Sequence, residues 1–126
     1  MKTCNGCNLC CVLFPIKELN KGTNVVCCHS TKEGCDIYAN RLDSCRAFVC
    51  QWLIRQDMEE DLRPDRCGII YHIIDGVLFA SQKSIYSHMN KANIIFMDGL
   101  RARKIVYKRQ YYNEDGVLEV VSFKPY

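Results

Sequence analysis

Apolar side chains recur at three- and four-residue steps between about Ile37 and Gln56. The recurring positions are Leu42, Cys45, Phe48, Val49, Trp52 and Leu53. This spacing places them on one face of a helix, so we predict the main helix of the protein here. It should end before Arg63-Pro64, because the residue that precedes a proline disfavours helical backbone angles. A single helical turn is predicted at residues 15–19, with Pro15 at a first position that tolerates proline.

The second half of the chain has the pattern of a sheet. Residues 68–81 read as a hairpin around Asp75-Gly76, a dipeptide that suits the positive φ angles of a tight turn. Residues 102–111 and 117–123 are predicted strands joined by a turn-rich segment. Between these strand pairs, residues 84–100 are a predicted second helix. Its apolar face would be Ile85, Met89, Ala92 and Phe96.

These elements together predict an α+β fold. Residues 1–67 would form a loop-rich, metal-organised cysteine region with one main helix. Residues 68–126 would form a short antiparallel sheet with the second helix, packed on the cysteine region. At 126 residues the two parts are expected to make one compact domain.

Cysteine is the unusual residue of this composition. The chain has 10 cysteines in 126 residues, and all but Cys67 precede residue 51, a density that indicates cross-linking or metal binding. Met1-Lys2-Thr3 leads directly into Cys4 without the apolar run of a secretory signal. No apolar stretch approaches the roughly 20 residues that span a bilayer. We therefore expect a cytoplasmic protein without membrane contact, whose thiols bind metal ions rather than form disulfides.

The opening run Cys4-x-x-Cys7-x-x-Cys10-Cys11 is the most informative motif. Two-residue gaps turn successive sulfurs toward one centre. Cys11 adjoins Cys10, and because neighbouring side chains generally project apart, the two thiols should serve different centres. The motif therefore predicts two metal centres.

Further ligands must come from later in the chain. Cys45 and Cys50 are five residues apart, which is about 140° around an ideal helix, so they too should serve different centres unless the helix ends between them. Eight cysteines divide into two sets of four, the number that a zinc ion or a cubane cluster needs. The predicted ligands are Cys4, Cys7, Cys10, Cys11, Cys27, Cys35, Cys45 and Cys50. His29 is an outer hydrogen-bond donor or an alternative ligand, and Cys28 and Cys67 are predicted to be packed, non-ligating thiols.

Five segments carry a family resemblance: CNGCNLCC, CCH, GCDIYANR, CRAFVCQW and RPDRCG. In this order and spacing they resemble the CxxCxxCC family of zinc- or iron-chelating domains, the YkgJ-type cysteine-cluster proteins of bacteria, over residues 4 to about 68. The resemblance implies metal binding by the same eight cysteines, with His29 in the Cys-x-His element, but it implies no particular reaction. One departure is Leu42, where the family often has proline.

Iron-sulfur clusters are favoured over zinc. A CxxCxxC triad with remote cysteines is similar to cubane-binding ferredoxin segments, whereas structural zinc usually takes two separated knuckles. The predicted function is a metal-binding or redox module with a protein redox partner. The alternative is a metal-dependent enzyme or accessory subunit, either an oxidoreductase or similar to flagellin lysine methylases. The sequence favours the first, because it has no phosphate-binding glycine loop, catalytic triad or carboxylate pair.

Basic residues suggest a third function. The net charge is +3, and the densest basic segment lies among tyrosines at Arg101, Arg103, Lys104, Lys108 and Arg109. This segment could contact nucleic acid, but a solvated face of a strand is the favoured interpretation. Arg41 and Arg46 either pair with carboxylates such as Asp36 and Asp43 or offset the charge of the thiolates. His72 is predicted to be an edge or core histidine.

Overall fold

The computed structural model describes residues 7, 9–14, 16–22, 25–32 and 34–123. The helices are α1 (Cys10–Leu13), α2 (Asp43–Ala47), α3 (Gln51–Ile54), α4 (Pro64–Cys67) and α5 (Lys91–Ala102). The strands are β1 (Ser30–Thr31), β2 (Gly34–Cys35), β3 (Ile69–Ile74), β4 (Val77–Gln82), β5 (Tyr107–Tyr112) and β6 (Leu118–Phe123). Single 3-10 turns occur at Lys17–Leu19, Tyr38–Asn40, Glu60–Leu62 and Ser87–Met89. The predicted α+β class is confirmed, as is the helical turn after position 15.

The main sheet has the order β3-β4-β5-β6. The predicted hairpin is confirmed, since β3 and β4 pair in antiparallel register from Ile69↔Gln82 to Ile74↔Val77. Asp75 and Gly76 have φ angles of 51° and 79°, as a two-residue hairpin turn with two positive φ angles requires. β5 and β6 form the second antiparallel pair, also as predicted.

The sheet is not wholly antiparallel, which corrects the prediction. β4 and β5 are parallel, with Leu78 opposite Tyr107. A parallel pair needs a crossover of about a dozen residues or more, usually through a helix. α5 supplies that crossover, so the second predicted helix is the element that sets the strand order.

α5 is confirmed as a helix but begins later than predicted. The Asn90 side chain caps its N-terminus by accepting a hydrogen bond from the backbone N–H of Ala92. The buried positions of α5 are Asn93, Phe96, Met97 and Leu100, whereas Met89, predicted for the apolar face, is exposed. α5 has 12 residues, and none of the described helices has the length and apolar character that crossing a bilayer requires.

The main core lies between α5 and one face of the sheet. The sheet side of this core consists of Ile69, Tyr71, Leu78, Ala80 and Tyr107. Phe96, Met97 and Leu100 come from α5, and Trp52, Met58, Leu62 and Cys67 close the core from the middle of the chain. This packing joins α3 and α4 to the sheet.

The predicted helix over 37–56 is wrong. α2 and α3 are separate short helices, and the backbone between them is extended, with φ −80° and ψ 132° at Phe48. The Phe48 ring instead packs on the sheet face opposite α5, with ring centroids 4.8 Å from Phe14 and 5.7 Å from His72. Burial of one large aromatic side chain against the sheet thus accounts for the break, since it outweighs the short-range helix signal.

His72 is a core histidine, which confirms the prediction. It is 5% exposed, and its Nε2 lies 2.7 Å from the Ser81 hydroxyl oxygen. Phe14, Phe48 and Phe79 surround the ring at centroid distances of 5.1 to 5.9 Å. Burial among these side chains lowers the pKa of His72 to about 4, so the imidazole is neutral at pH 7.

Asn93 is a fully buried polar residue that connects four elements. Its Oδ1 accepts from the Tyr71 hydroxyl at 2.9 Å, and its Nδ2 donates to the carbonyl oxygens of Cys67 at 2.9 Å and Ser87 at 2.8 Å. The side chain is 0% exposed. These bonds join α5 to β3, α4 and the turn at Ser87–Met89.

We expect Asn93→Ala to lower the free energy of unfolding by about 3 kcal/mol or more, because it removes the Asn93 partner of the buried Tyr71 hydroxyl and of the buried Cys67 carbonyl oxygen. Urea unfolding followed by circular dichroism measures the change. Ile95→Ala, an exposed position of the same helix, is the control and should change stability by less than about 0.5 kcal/mol. Equal effects of the two substitutions would contradict the role of Asn93.

His72 should make the protein less stable in acid. An unfolded histidine has a pKa of about 6.5, so below that pH the unfolded chain takes up a proton that the folded chain resists until about pH 4. Stability is therefore lost as pH falls from 6.5 to 4. We expect the wild type to lose roughly 3 kcal/mol more than His72→Gln between pH 7 and pH 4. Parallel pH dependences in urea unfolding would rule this out.

Candidate metal centre

α1 holds the first cysteines against the sheet. Leu9 and Leu13 are one helical turn apart and both buried, and they pack on Ile70 of β3. Cys10 and Cys11 lie between these two anchors. The backbone N–H of Cys27 donates to the Cys11 carbonyl oxygen at 2.8 Å, which brings the next predicted ligand beside α1.

The β1–β2 ribbon returns the chain to the same region. Cys35 pairs with Ser30, and the Asp36 N–H donates to the His29 carbonyl oxygen at 2.9 Å. His29 Nδ1 lies 2.9 Å from a carboxylate oxygen of Asp36, and the His29 backbone N–H donates to the Cys27 sulfur at 3.4 Å. Amide donation of this kind stabilises a thiolate. His29 therefore acts here through its backbone, while its ring is held by Asp36.

Glu18 ties the 3-10 turn at Lys17–Leu19 to the start of α2. The Ser44 hydroxyl donates to Glu18 Oε1 at 2.6 Å, and the Ser44 N–H donates to Oε2 at 3.2 Å. These two bonds lower the pKa of Glu18. Cys45 follows in α2, and Cys50 directly precedes α3. The helix ends between these two cysteines, so the expected 140° separation does not apply to them.

Six cysteines line one cavity of about 110 Å³, which we call the cysteine cavity. They are Cys7, Cys10, Cys11, Cys35, Cys45 and Cys50. All six belong to the eight predicted ligands. Of the other two, Cys27 is buried beside α1, and Cys4 lies outside the described residues. The remaining walls are formed by Phe14, Ile16, Tyr38, Arg41, Ser44, Phe48 and Leu53.

The two cysteines predicted to be packed, non-ligating thiols differ from each other, and neither lines the cysteine cavity. Cys67 is 4% exposed in the main core, with its sulfur 3.4 Å from the carbonyl oxygens of Leu62 and Ile69. Burial raises the pKa of the Cys67 thiol to about 11. Cys28 is exposed, so the prediction that it is packed is wrong. Its neighbour Cys27 takes the inward position instead.

Cys10 and Cys11, predicted to serve different centres, both line the cysteine cavity. Their thiols are hydrogen-bonded, and this contact is the main reason that the pKa of Cys11 falls to about 7. The charge of Lys21, a hydrogen bond with Cys35 and the charge of His29 also favour the Cys11 thiolate, against the effect of burial.

Burial has the opposite effect on three other thiols of the cavity. It raises the pKa of Cys7, Cys35 and Cys45. For Cys35 and Cys45, the charges of neighbouring cysteines, Cys11 and Cys27 among them, raise the pKa further. Several thiolates in this space therefore repel one another unless a cation lies among them.

Two cationic side chains, Lys21 and Arg41, lie beside the cysteines. Lys21 Nζ donates to the carbonyl oxygens of Phe14, Val12 and Gly22. Burial lowers the pKa of Lys21, and the charges of Cys27, Cys11, Cys10 and Cys45 oppose that shift. The guanidinium carbon of Arg41 lies 4.3 Å from the centre of the Tyr38 ring. Sequence analysis did not single out Lys21, because nothing in its local sequence marks it.

Arg41 contains a buried polar atom that no described residue satisfies. Its Nε is inaccessible to water and has no hydrogen-bond partner within the described part of the chain. A buried cationic nitrogen without a partner is costly unless negative charge lies close by. Ionised thiols of the cysteine cavity are suitable partners. Of the two predicted roles of Arg41, this location favours offsetting the thiolates.

No three His, Cys, Asp or Glu side chains among the described residues stand in an arrangement that could hold a metal ion. No disulfide joins any two of the nine described cysteines. Comparison of the chain with protein-family models, with curated proteins and with solved structures found no match. The resemblance to the CxxCxxCC family therefore rests on the order and spacing of the cysteines.

The basic segment after α5 is partly engaged within the fold. Arg101 lies 3.7 Å from Asp98 and donates to the Tyr107 hydroxyl at 3.2 Å. Arg109 donates to Gln82 Oε1 at 3.0 Å. The Asp98 carboxylate offsets part of the charge of Arg101, and the two hydrogen bonds hold the arginine side chains against the fold.

Thiol labelling should separate Cys67 from Cys28. A pKa of about 11 instead of 9 gives Cys67 about 100-fold less thiolate at pH 8, and burial restricts access further. We expect iodoacetamide to modify Cys28 at least about 100-fold faster than Cys67 in the folded protein. Peptide mass spectrometry measures both rates. In urea the two rates should become similar, and similar rates in the folded protein would contradict the assignment.

Proposed function

We propose that this chain is a cytoplasmic cysteine-cluster protein of the CxxCxxCC type that binds iron-sulfur clusters or zinc. It acts as a metal-binding or redox module for a protein partner. The ligands would come from Cys4, Cys7, Cys10, Cys11, Cys27, Cys35, Cys45 and Cys50, arranged as two centres of four. Both zinc and an iron-sulfur cluster would be held by four thiolates. Zinc would have a structural role, whereas an iron-sulfur cluster would also carry electrons.

The observation that carries the proposal is the composition of the cysteine cavity. Six cysteines separated by up to 43 positions line it, whereas Cys28 and Cys67 do not. Free thiols gain little from being gathered in a partly buried space, because desolvation disfavours their ionised form. Thiolates bound to a metal would gain both coordination and attraction to Arg41 and Lys21.

The donor set fits a soft metal. Thiolate sulfur selects zinc or iron-sulfur clusters over magnesium or calcium. The volume of about 110 Å³ is well above the roughly 10–15 Å³ that one water molecule needs, so the cavity has room for more than a single ion. This favours a cluster, or two ions, over one zinc ion. The proposed coordination requires the thiols to close on the metal to bond lengths of about 2.3 Å.

Metal analysis of anaerobically purified protein tests the proposal. We expect stoichiometric iron and sulfide, with a visible absorbance that bleaches on reduction, or else stoichiometric zinc in a colourless protein. Cys11→Ser and Cys35→Ser should each lower the bound metal by about half or more, because each removes one of four ligands from a centre. Inductively coupled plasma mass spectrometry gives the metal content.

Cys28→Ser is the matched control, because Cys28 is exposed and does not line the cavity. It should keep the metal content of the wild type. Protein that holds neither iron nor zinc after anaerobic purification would refute metal binding. Stoichiometric zinc without colour would leave the binding function in place and exclude the redox role.

A further inference from the structure

A second, larger cavity lies on the same face of the sheet as the cysteine-bearing segments. It has a volume of about 690 Å³ and opens between β3–β5 and the segments that carry Leu13, Phe14 and Phe48. We call it the sheet cavity. Its size is within the range of about 300–1,000 Å³ that is typical of small-molecule sites. None of the eight predicted metal ligands is among its described lining residues.

Buried polar side chains are concentrated at this cavity. Gln51, His72, Ser81 and Gln82 are each more than nine-tenths buried, and all four line it. The other buried polar residue of the described chain, Asn93, is satisfied by three hydrogen bonds in the main core. Burial of polar groups costs free energy unless they are hydrogen-bonded. Four of them at one cavity are therefore a feature that packing alone does not require.

A hydrogen-bonded group joins His72, Ser81 and Gln110 at the cavity. Gln110 Nε2 donates to the Ser81 hydroxyl oxygen at 2.7 Å, and the same oxygen lies 2.7 Å from His72 Nε2. His72 is neutral at pH 7, so one of its ring nitrogens is a donor and the other an acceptor. The amides of Gln51 and Gln110 also line the cavity, and each carries a donor and an acceptor. The cavity thus offers both hydrogen-bond donors and hydrogen-bond acceptors.

Gln82 is not among the residues that we expect to bind a ligand. Its Nε2 donates to the Ser84 carbonyl oxygen at 2.9 Å, and its Oε1 accepts from Arg109 at 3.0 Å. The Gln82 amide is thus occupied at both ends. Recognition of a ligand would depend on His72, Gln110 and Gln51, with Ser81 fixing the orientation of the first two.

The walls of the sheet cavity are aromatic and uncharged. Phe14 and Phe48 form one side, with ring centroids 4.8 Å apart, and Tyr111 and Tyr112 contribute from β5. No Asp, Glu, Lys or Arg is among the described lining residues. An ionic ligand would lose its hydration without gaining an opposite charge. We propose that the sheet cavity binds an uncharged, flat organic molecule that carries both hydrogen-bond donors and acceptors, such as an amide on an aromatic ring.

The location gives this site a relation to the cysteine cavity. Phe14, Ser44 and Phe48 line both cavities, so one layer of side chains separates the ligand from the thiols. The residues that would recognise the ligand nevertheless lie on β3, β5 and α3, and none of them is a predicted metal ligand. The proposal therefore stands or falls separately from the proposed function.

Calorimetric titration of the anaerobically purified full-length protein with a matched pair of probes tests the site. Naphthalene-2-carboxamide is neutral, and naphthalene-2-carboxylate has the same ring with a negative charge. We expect saturable binding of the amide and at least tenfold weaker binding of the carboxylate, a difference of about 1.4 kcal/mol. NMR amide shifts on addition of the carboxamide should centre on β3 and β5 rather than on α5.

Two pairs of variants locate the binding. His72→Phe keeps an aromatic ring but removes both ring nitrogens, and it should weaken carboxamide binding about tenfold. His88→Phe, at a histidine outside the cavity, should not weaken it. Val49→Trp should block the entrance, since Val49 lines the cavity and is 48% exposed. Val106→Trp is its control, at a valine that is 43% exposed and outside the cavity.

Three results would overturn the proposal. They are absence of carboxamide binding up to about 1 mM, equal binding of the carboxylate, and binding that survives Val49→Trp. Because Val49 is half-exposed, its replacement leaves the core packing unchanged, and a circular dichroism melt verifies folding. Loss of metal from any of these proteins does not affect the interpretation, since the measured quantity is binding of the organic probe.

Discussion

The contact between the cysteine-bearing segments and the sheet is the interaction on which the rest of the structure depends. Leu9 and Leu13 pack on Ile70, and Phe14 and Phe48 pack on His72. These apolar contacts fix the segments that contribute Cys10, Cys11, Cys45 and Cys50. They also form the wall that the two cavities share. The main core on the other face of the sheet provides the rigid support for this arrangement.

Few other contacts stabilise the cysteine-bearing segments. Their regular elements contain between two and five residues, and isolated helices of that length are unstable in water. Glu18 joins one pair of segments, and the backbone bond from Cys27 to Cys11 joins another. Bonds to the proposed metal would add cross-links between residues that are distant in sequence. The free energy of metal binding would then contribute to the folding of these segments.

Local signals were sufficient to predict the elements of the second half. Asp75-Gly76 and the turn-rich segment 113–116 identify both hairpins, since turn geometry is set by neighbouring residues. The parallel pairing of β4 and β5 depends on how α5 crosses the sheet, and no short-range pattern reports it. The helix predicted over 37–56 fails for a related reason. Phe48 contributes to a helical period in the sequence, but in the structure it is partly buried against Phe14, which is distant along the chain.

The candidate site was only partly predictable. Counting and spacing together select the eight cysteines, six of which line the cysteine cavity, because close cysteine repeats are typical of metal sites. Lys21 and Arg41 carry no such signal, since single cations are common on any surface. The sequence also does not predict the hydrogen-bonded group of His72, Ser81 and Gln110. Its members come from three strands, and only the register of the sheet brings them together.

The charges around the cysteine cavity are consistent with a metal-thiolate centre rather than with free thiolates. Four thiolates around one zinc ion leave a net charge of about −2. Lys21 and Arg41 together supply two positive charges next to the cysteines, and Phe14 and Phe48 keep water away from one side. In such a partly desolvated space, attraction between opposite charges is stronger than in water. Four bare thiolates would leave this balance strongly negative, and neutral thiols would leave Arg41 Nε without an anionic partner among the described residues of the cavity. The proposed metal with four thiolates would satisfy both the thiols and the buried guanidinium.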